Sequence, residues 1–112
     1  QRLFILLEYR QMSFQKTKRI RLKGKTLRDL NNAIFDRDGD KCIICGRWVS
    51  RQEKFHHEPA GALKSDETDK GAVLYMDCHH KRHHTEECNA IKVKVEAYLY
   101  SICRLQKLIS LI

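Results

Sequence analysis

Very little in this chain interrupts a fold. One proline and five glycines are spread over 112 residues, with no repeat and no low-complexity tract. That excludes collagen-like chains and Pro/Gly-rich disordered ones. Long apolar runs are missing too. The opening stretch LFILL, residues 3–7, falls far short of the ~20 apolar residues that cross a bilayer. No cleavable signal pattern is present, so no membrane partner is expected. Acidic side chains are the minority, 14 against 22 basic ones, which leaves a net charge of +8.

What is present suits one compact domain. A hydrophobic share of 42% is enough for a modest core and too little for two in a chain this short. A soluble basic domain of this size suits a polyanionic partner, because each neutralised phosphate releases a counterion; the alternative is charge kept only for solubility. The charge is concentrated. Residues 1–30 carry nine basic side chains against Glu8 and Asp29, so +7 of the +8 sits there. Five cysteines, an odd number, accompany six histidines. Without a signal pattern this predicts a reduced cytoplasmic protein whose thiols are free for metal.

Along the chain, Met12 is a candidate natural start, and residues 1–25 are expected to form a basic arm or extension. Residues 16–25 alternate basic with other side chains and predict a strand or extended arm. Thr26 then has the character of an N-cap for a helix over 27–37, with Leu27, Leu30, Ile34 and Phe35 on one face and Gly39 as its break. Cys42-Ile-Ile-Cys45 predicts a knuckle. Residues 54–58 and 72–76 predict two short strands around a polar loop. Asp77 is placed to cap a helix carrying Cys78, His79, His80, Lys81, Arg82, His83 and His84. Apolar spacing over residues 91–112 predicts a long amphipathic helix, although IKVKVE at its start also fits a strand.

Two histidine groups carry the chemistry. His56 and His57 are adjacent on an expected strand, so they point to opposite sides and cannot share one ion without distortion. One can bind a metal while the other addresses a different target, a division that suits phosphodiester hydrolysis. His79 and His83, spaced i, i+4, project from one helical face and can close on a single ion. His80 and His84 form a second such pair, and spacing alone does not choose between them.

CIIC, then FHHEP, then a polar loop with KSD, then VLYMDCHHKRH resembles the HNH endonucleases of the ββα-metal, or His-Me finger, group over residues 37–84. The resemblance implies an α+β fold, a small ββα-metal core with flanking helices, in a nuclease domain over 26–112. It implies His56, His79 and His83 as metal ligands and His57 as the general base that deprotonates water. The family's bracing asparagine falls here at Lys70, with Asp69 beside it, which makes those two the candidates for that role. Tyr75 occupies the first position of the family's second cysteine pair.

One divalent ion is expected. Mn²⁺ or another transition metal suits imidazole ligands better than Mg²⁺ does. Cys42, Cys45, Cys78 and Cys88 are the candidates for a structural Zn²⁺, while Cys103 reads as core. DNA is the expected partner, through Lys16, Lys18, Arg19, Arg21, Lys23, Lys25 and Arg28, with Lys81 and Arg82 beside the site. Phage DNA processing and restriction-type defence are both settings for such an enzyme. The competing readings are a non-catalytic zinc-binding nucleic-acid module and a metal-dependent RNase. The apolar faces at 3–7 and 91–112 are expected to pack together, closing either a monomer's core or a homodimer interface.

Overall fold

A computed structural model describes residues 19–110. Among them are three α-helices and one two-stranded antiparallel sheet, so the protein is a small α+β fold. In chain order these are α1 (Gly24–Asp38), β1 (His56–His57), β2 (Gly71–Ala72), α2 (Met76–His84) and α3 (Cys88–Ser110). No helix among the described residues is long and apolar enough to cross a membrane.

The first helix starts earlier than expected. Lys23 precedes it without a side-chain cap, and Thr26 lies inside the first turn, where its hydroxyl donates to the Lys23 carbonyl at 2.8 Å. Gly39 ends it in the left-handed conformation (φ 70°), as a glycine after a helix commonly does. Leu30, Ile34 and Phe35 bury its apolar face.

β1 pairs with β2 so that His56 faces Ala72 and His57 faces Gly71. Around 59–70 the connecting loop makes two single 3₁₀ turns, and Glu58 N–H donates to Lys70 O at 3.0 Å to close it. Gly71 is demanded by packing: a Cβ there would lie 2.5 Å from the ring of Phe55 and 2.8 Å from Ile34. The chain leaves β2 through buried Val73 and Leu74 and enters α2 from Tyr75, not from an Asp77 cap. Asp77 sits in the first turn, where its charge still favours the helix dipole.

IKVKVE is helical. Ile91, Val95 and Leu99, one turn apart along α3, seal the core from the far side. Asp38, its carboxylate wholly buried, ties the layers together. It accepts from Val73 N–H at 2.9 Å, pairs with Arg37 at 2.8 Å, and takes the Tyr98 hydroxyl of α3. Beyond Leu99 the expected apolar face leaves the core: Leu105, Leu108 and Ile109 are exposed. Residues 3–7, the expected partner of that face, lie outside the described residues, as do Lys16 and Lys18.

Candidate metal centre and histidine dyad

The antiparallel pair and α2 bring three imidazoles together. His56 comes from β1. His79 and His83 come from one face of α2, spaced by a helical turn. Their ring centroids stand 5.1 Å (His56–His79), 5.3 Å (His56–His83) and 4.7 Å (His79–His83) apart, and one nitrogen from each ring lies within 4.8 Å of the others. The Nε2 atoms of His79 and His83 are 3.2 Å apart. Two nitrogens each ~2.0–2.1 Å from one ion are separated by about 2.8–3.0 Å in octahedral and about 3.3–3.4 Å in tetrahedral geometry, so this spacing fits shared coordination. His80 and His84 stack on each other at 5.0 Å, apart from this group. Partial burial, followed by repulsion from His56 and His83, pushes the His79 imidazole down to about 4, so it is neutral and ready to ligate at pH 7.

Behind His56 lies a pair that the sequence reading missed. Glu58 is buried, and its Oε2 stands 2.7 Å from His56 Nε2. The fork of Arg82 grips the same carboxylate, Nε to Oε2 at 3.1 Å and Nη2 to Oε1 at 2.8 Å. Burial alone would raise the Glu58 carboxyl; the hydrogen bonds from His56 and Arg82 outweigh it and hold it below the usual carboxylate range. An ionised carboxylate only accepts, so the His56 proton belongs on Nε2 and the lone pair on Nδ1 is left for a cation. Arg82 was expected on DNA. Instead it is 9% exposed and committed to Glu58, the residue just beyond β1.

His57 points the other way. Its Nε2 meets Asp66 Oδ1 at 2.8 Å, and Nδ1 has no hydrogen-bond partner among the described residues. The other oxygen of Asp66 accepts from Leu22 N–H at 2.8 Å. Burial would raise the Asp66 carboxyl, but the His57 and Leu22 hydrogen bonds leave it lowered. The partner of His57 is therefore neither Asp69 nor Lys70. Those two sit in the 3₁₀ turn Thr68–Lys70, where the Lys70 ammonium pairs with Glu67 at 2.9 Å. The KSD tripeptide, singled out for resemblance only, held the missed residue.

The arm runs past this dyad. Ile20 N–H donates to Ser65 Oγ and Asp66 N–H to Ile20 O, each at 2.8 Å, while Arg19 reaches the Ala62 carbonyl. Arg19, Arg21, Lys23, Lys25, Arg28 and Lys64 are all exposed along or near it. Lys81 is exposed on α2, 3.6 Å from Glu87.

Cys42, Cys45 and Cys78 form a second group, their sulfurs within 4.8 Å of one another. Burial, then the nearby Cys42, pushes the Cys78 thiol up to about 12. A soft cation would reverse that by favouring thiolates, so the donor set suits Zn²⁺. Cys88 does not join them. Its sulfur accepts from Arg82 Nη1 at 3.3 Å, in the last turn of α2, whereas Cys78 lies in the first. Cys103 is half-buried.

A cavity of about 270 Å³, lined by Phe55, His56, Leu74, Met76 and His79 among others, opens beside His56 and His79. No family model, curated protein or solved structure matches this chain.

Proposed function

We propose that the chain is a divalent-metal-dependent endonuclease with a ββα-metal core, hydrolysing DNA phosphodiester bonds. The observation that carries this reading is the opposed commitment of two neighbours: His56 turns toward His79 and His83, and His57 turns away onto Asp66. A divalent ion held by His56, His79 and His83 would supply charge neutralisation at a phosphate oxygen and at the departing 3′ oxygen.

The side chains do the rest. Asp66 would hold the His57 proton on Nε2 and leave Nδ1 to take a proton from an attacking water. Glu58 and Arg82 keep the His56 ring fixed against α2. Arg19, Arg21, Lys23 and Lys64 border the dyad and suit phosphates on either side of the scissile one. A trio of imidazoles favours Mn²⁺ or another transition ion over Mg²⁺.

The test is cleavage of supercoiled plasmid, single-stranded DNA and RNA with Mn²⁺ added. Nicked or linear plasmid, absent with His57→Ala, is the expected result. Binding to DNA without cutting any substrate would overturn the reading in favour of a zinc-containing binding module, for which the three-cysteine group is the supporting observation. Cutting RNA alone would make the protein an RNase.

A further inference from the structure

We propose that Trp48 and Lys41 form a docking platform for an unpaired nucleotide, its base stacked on the indole and its phosphate on the ammonium. The inference rests on the nucleic-acid reading above and names the kind of substrate that it takes.

Trp48 is the chain's single tryptophan, and it is 68% exposed. It stands opposite Lys41 in an antiparallel bridge. Residues directly opposite in such a pair present their side chains on the same face. Lys41 is exposed and has no carboxylate partner among the described residues, and among them no aromatic ring or cation is stacked over the Trp48 indole.

The backbone beneath is held firmly. Cys42 N–H donates to Arg47 O at 2.8 Å, Gly46 N–H to Cys42 O at 2.9 Å and Val49 N–H to Asp40 O at 2.8 Å, while Val49 is buried in the core. Alternation along the ribbon therefore turns Val49 inward and Trp48 outward, on a frame that loses little freedom when a ligand arrives. The knuckle is joined to the metal-bearing helix. Arg47 lies over the Tyr75 ring at 5.0 Å and pairs with Asp77 at 3.3 Å, in the turn that leads to His79.

An exposed indole on the same face of the ribbon as an unpaired ammonium matches both parts of one nucleotide. Every base has a π-face, and a phosphate lies beside it. Within a continuous duplex those faces are covered by neighbouring pairs, so the match is to unpaired bases. Stacking accepts DNA and RNA alike, and the experiment separates them.

Tryptophan fluorescence reads this site alone. The full chain carrying His57→Ala, with no metal added, is titrated with single-stranded DNA, single-stranded RNA of the same sequence, and blunt duplex of the same length. The free protein is expected to emit as a water-exposed indole, to be quenched by a single strand, and to respond little to duplex. The stronger of the two single-strand responses identifies the sugar preferred.

Trp48→Ala should weaken single-strand binding roughly 5- to 150-fold, with Trp48→Phe retaining most of it. Lys41→Gln should lower the salt-dependence slope by about 0.7, one single-strand phosphate contact. Blue-shifted emission in the free protein, equal quenching by duplex, or unchanged single-strand binding by Trp48→Ala would each overturn the platform. The readout needs no cleavage. Plasmid cutting without quenching removes the platform alone, and quenching without cutting removes the nuclease alone.

Discussion

His57 Nε2 meets Asp66 Oδ1 at 2.8 Å, and Asp66 Oδ2 takes the backbone N–H of Leu22 at the same distance. One carboxylate thus holds both the candidate base and the inner edge of the basic arm. Whatever moves the arm also moves the group that orients His57. On the proposed reading, phosphate binding by the arm and positioning of the base would share this one side chain.

The first prediction follows from that carboxylate. His57→Ala should lower kcat by ~10²–10⁴-fold, the usual contribution of a general base. Asp66→Ala should lower kcat by a smaller factor, since the base survives but its proton is no longer held on Nε2. Mn²⁺ affinity should be unchanged in both. Single-turnover cleavage with parallel calorimetry checks this. A Mn²⁺ affinity that falls with His57→Ala would mean the two neighbours have exchanged roles.

The metal group makes a second prediction. His56→Ala, His79→Ala and His83→Ala should each weaken Mn²⁺ binding in calorimetric titration. His80→Ala should match the wild type, because His80 pairs with His84 outside the trio. Unchanged affinity in all three ligand variants would refute the site.

A third concerns the buried fork. Glu58→Gln keeps an acceptor for His56 but loses the charge, and should weaken metal binding by ~10–100-fold, with some loss of stability because Arg82 loses its counter-charge while the amide still accepts from it. Arg82→Met leaves a buried carboxylate with His56 as its one remaining partner and should destabilise the fold by about 3 kcal/mol. Denaturant titration of the metal-free forms separates the two effects. The opposite pattern would assign Glu58 to folding alone.

Packing around β2 makes the fourth. Gly71→Ala drives a methyl into the Phe55 ring and Ile34, both part of the core, so the strand opposite His57 must move. The expected loss is about 1–3 kcal/mol, the usual range for overpacking. Thermal unfolding of the variant checks it; a gain in stability would mean the strand has room that the structure denies it.

Acid makes the fifth. The Asp66 carboxyl titrates below its ordinary value of 3.8 in the folded protein. The unfolded chain therefore binds that proton first, and stability falls as pH drops from about 3.8 through the folded value. The contribution is fully present above 3.8. Wild type should accordingly lose melting temperature more steeply below pH 4 than Asp66→Asn does, and parallel curves would show that the hydrogen bonds to His57 and Leu22 do not favour the charged form.

Residues close in sequence were the readable ones. The shared face of His79 and His83 and the opposed directions of His56 and His57 follow from backbone periods of 3.6 and 2, the break at Gly39 from glycine's ease at positive φ, and the Cys42–Cys45 knuckle from its cysteine spacing. The concentration of charge before residue 30 is likewise a matter of counting. Helix starts were less readable, since neither Thr26 nor Asp77 caps its helix, and IKVKVE became helical because Ile91 and Val95 bury as part of one face with Leu99.

Partners across the fold were decided by tertiary structure alone. Asp66, and not Asp69 three residues on, reaches His57 because the arm at 20–22 pairs with 65–66 and fixes how that loop lies. Arg82 has the composition of a surface cation, yet α2 turns it inward onto Glu58 and draws Cys88 to it rather than to the cysteine group. No local period encodes these choices. They depend on which surfaces the core brings into contact, and a buried charge must then pair with whatever partner lies within reach.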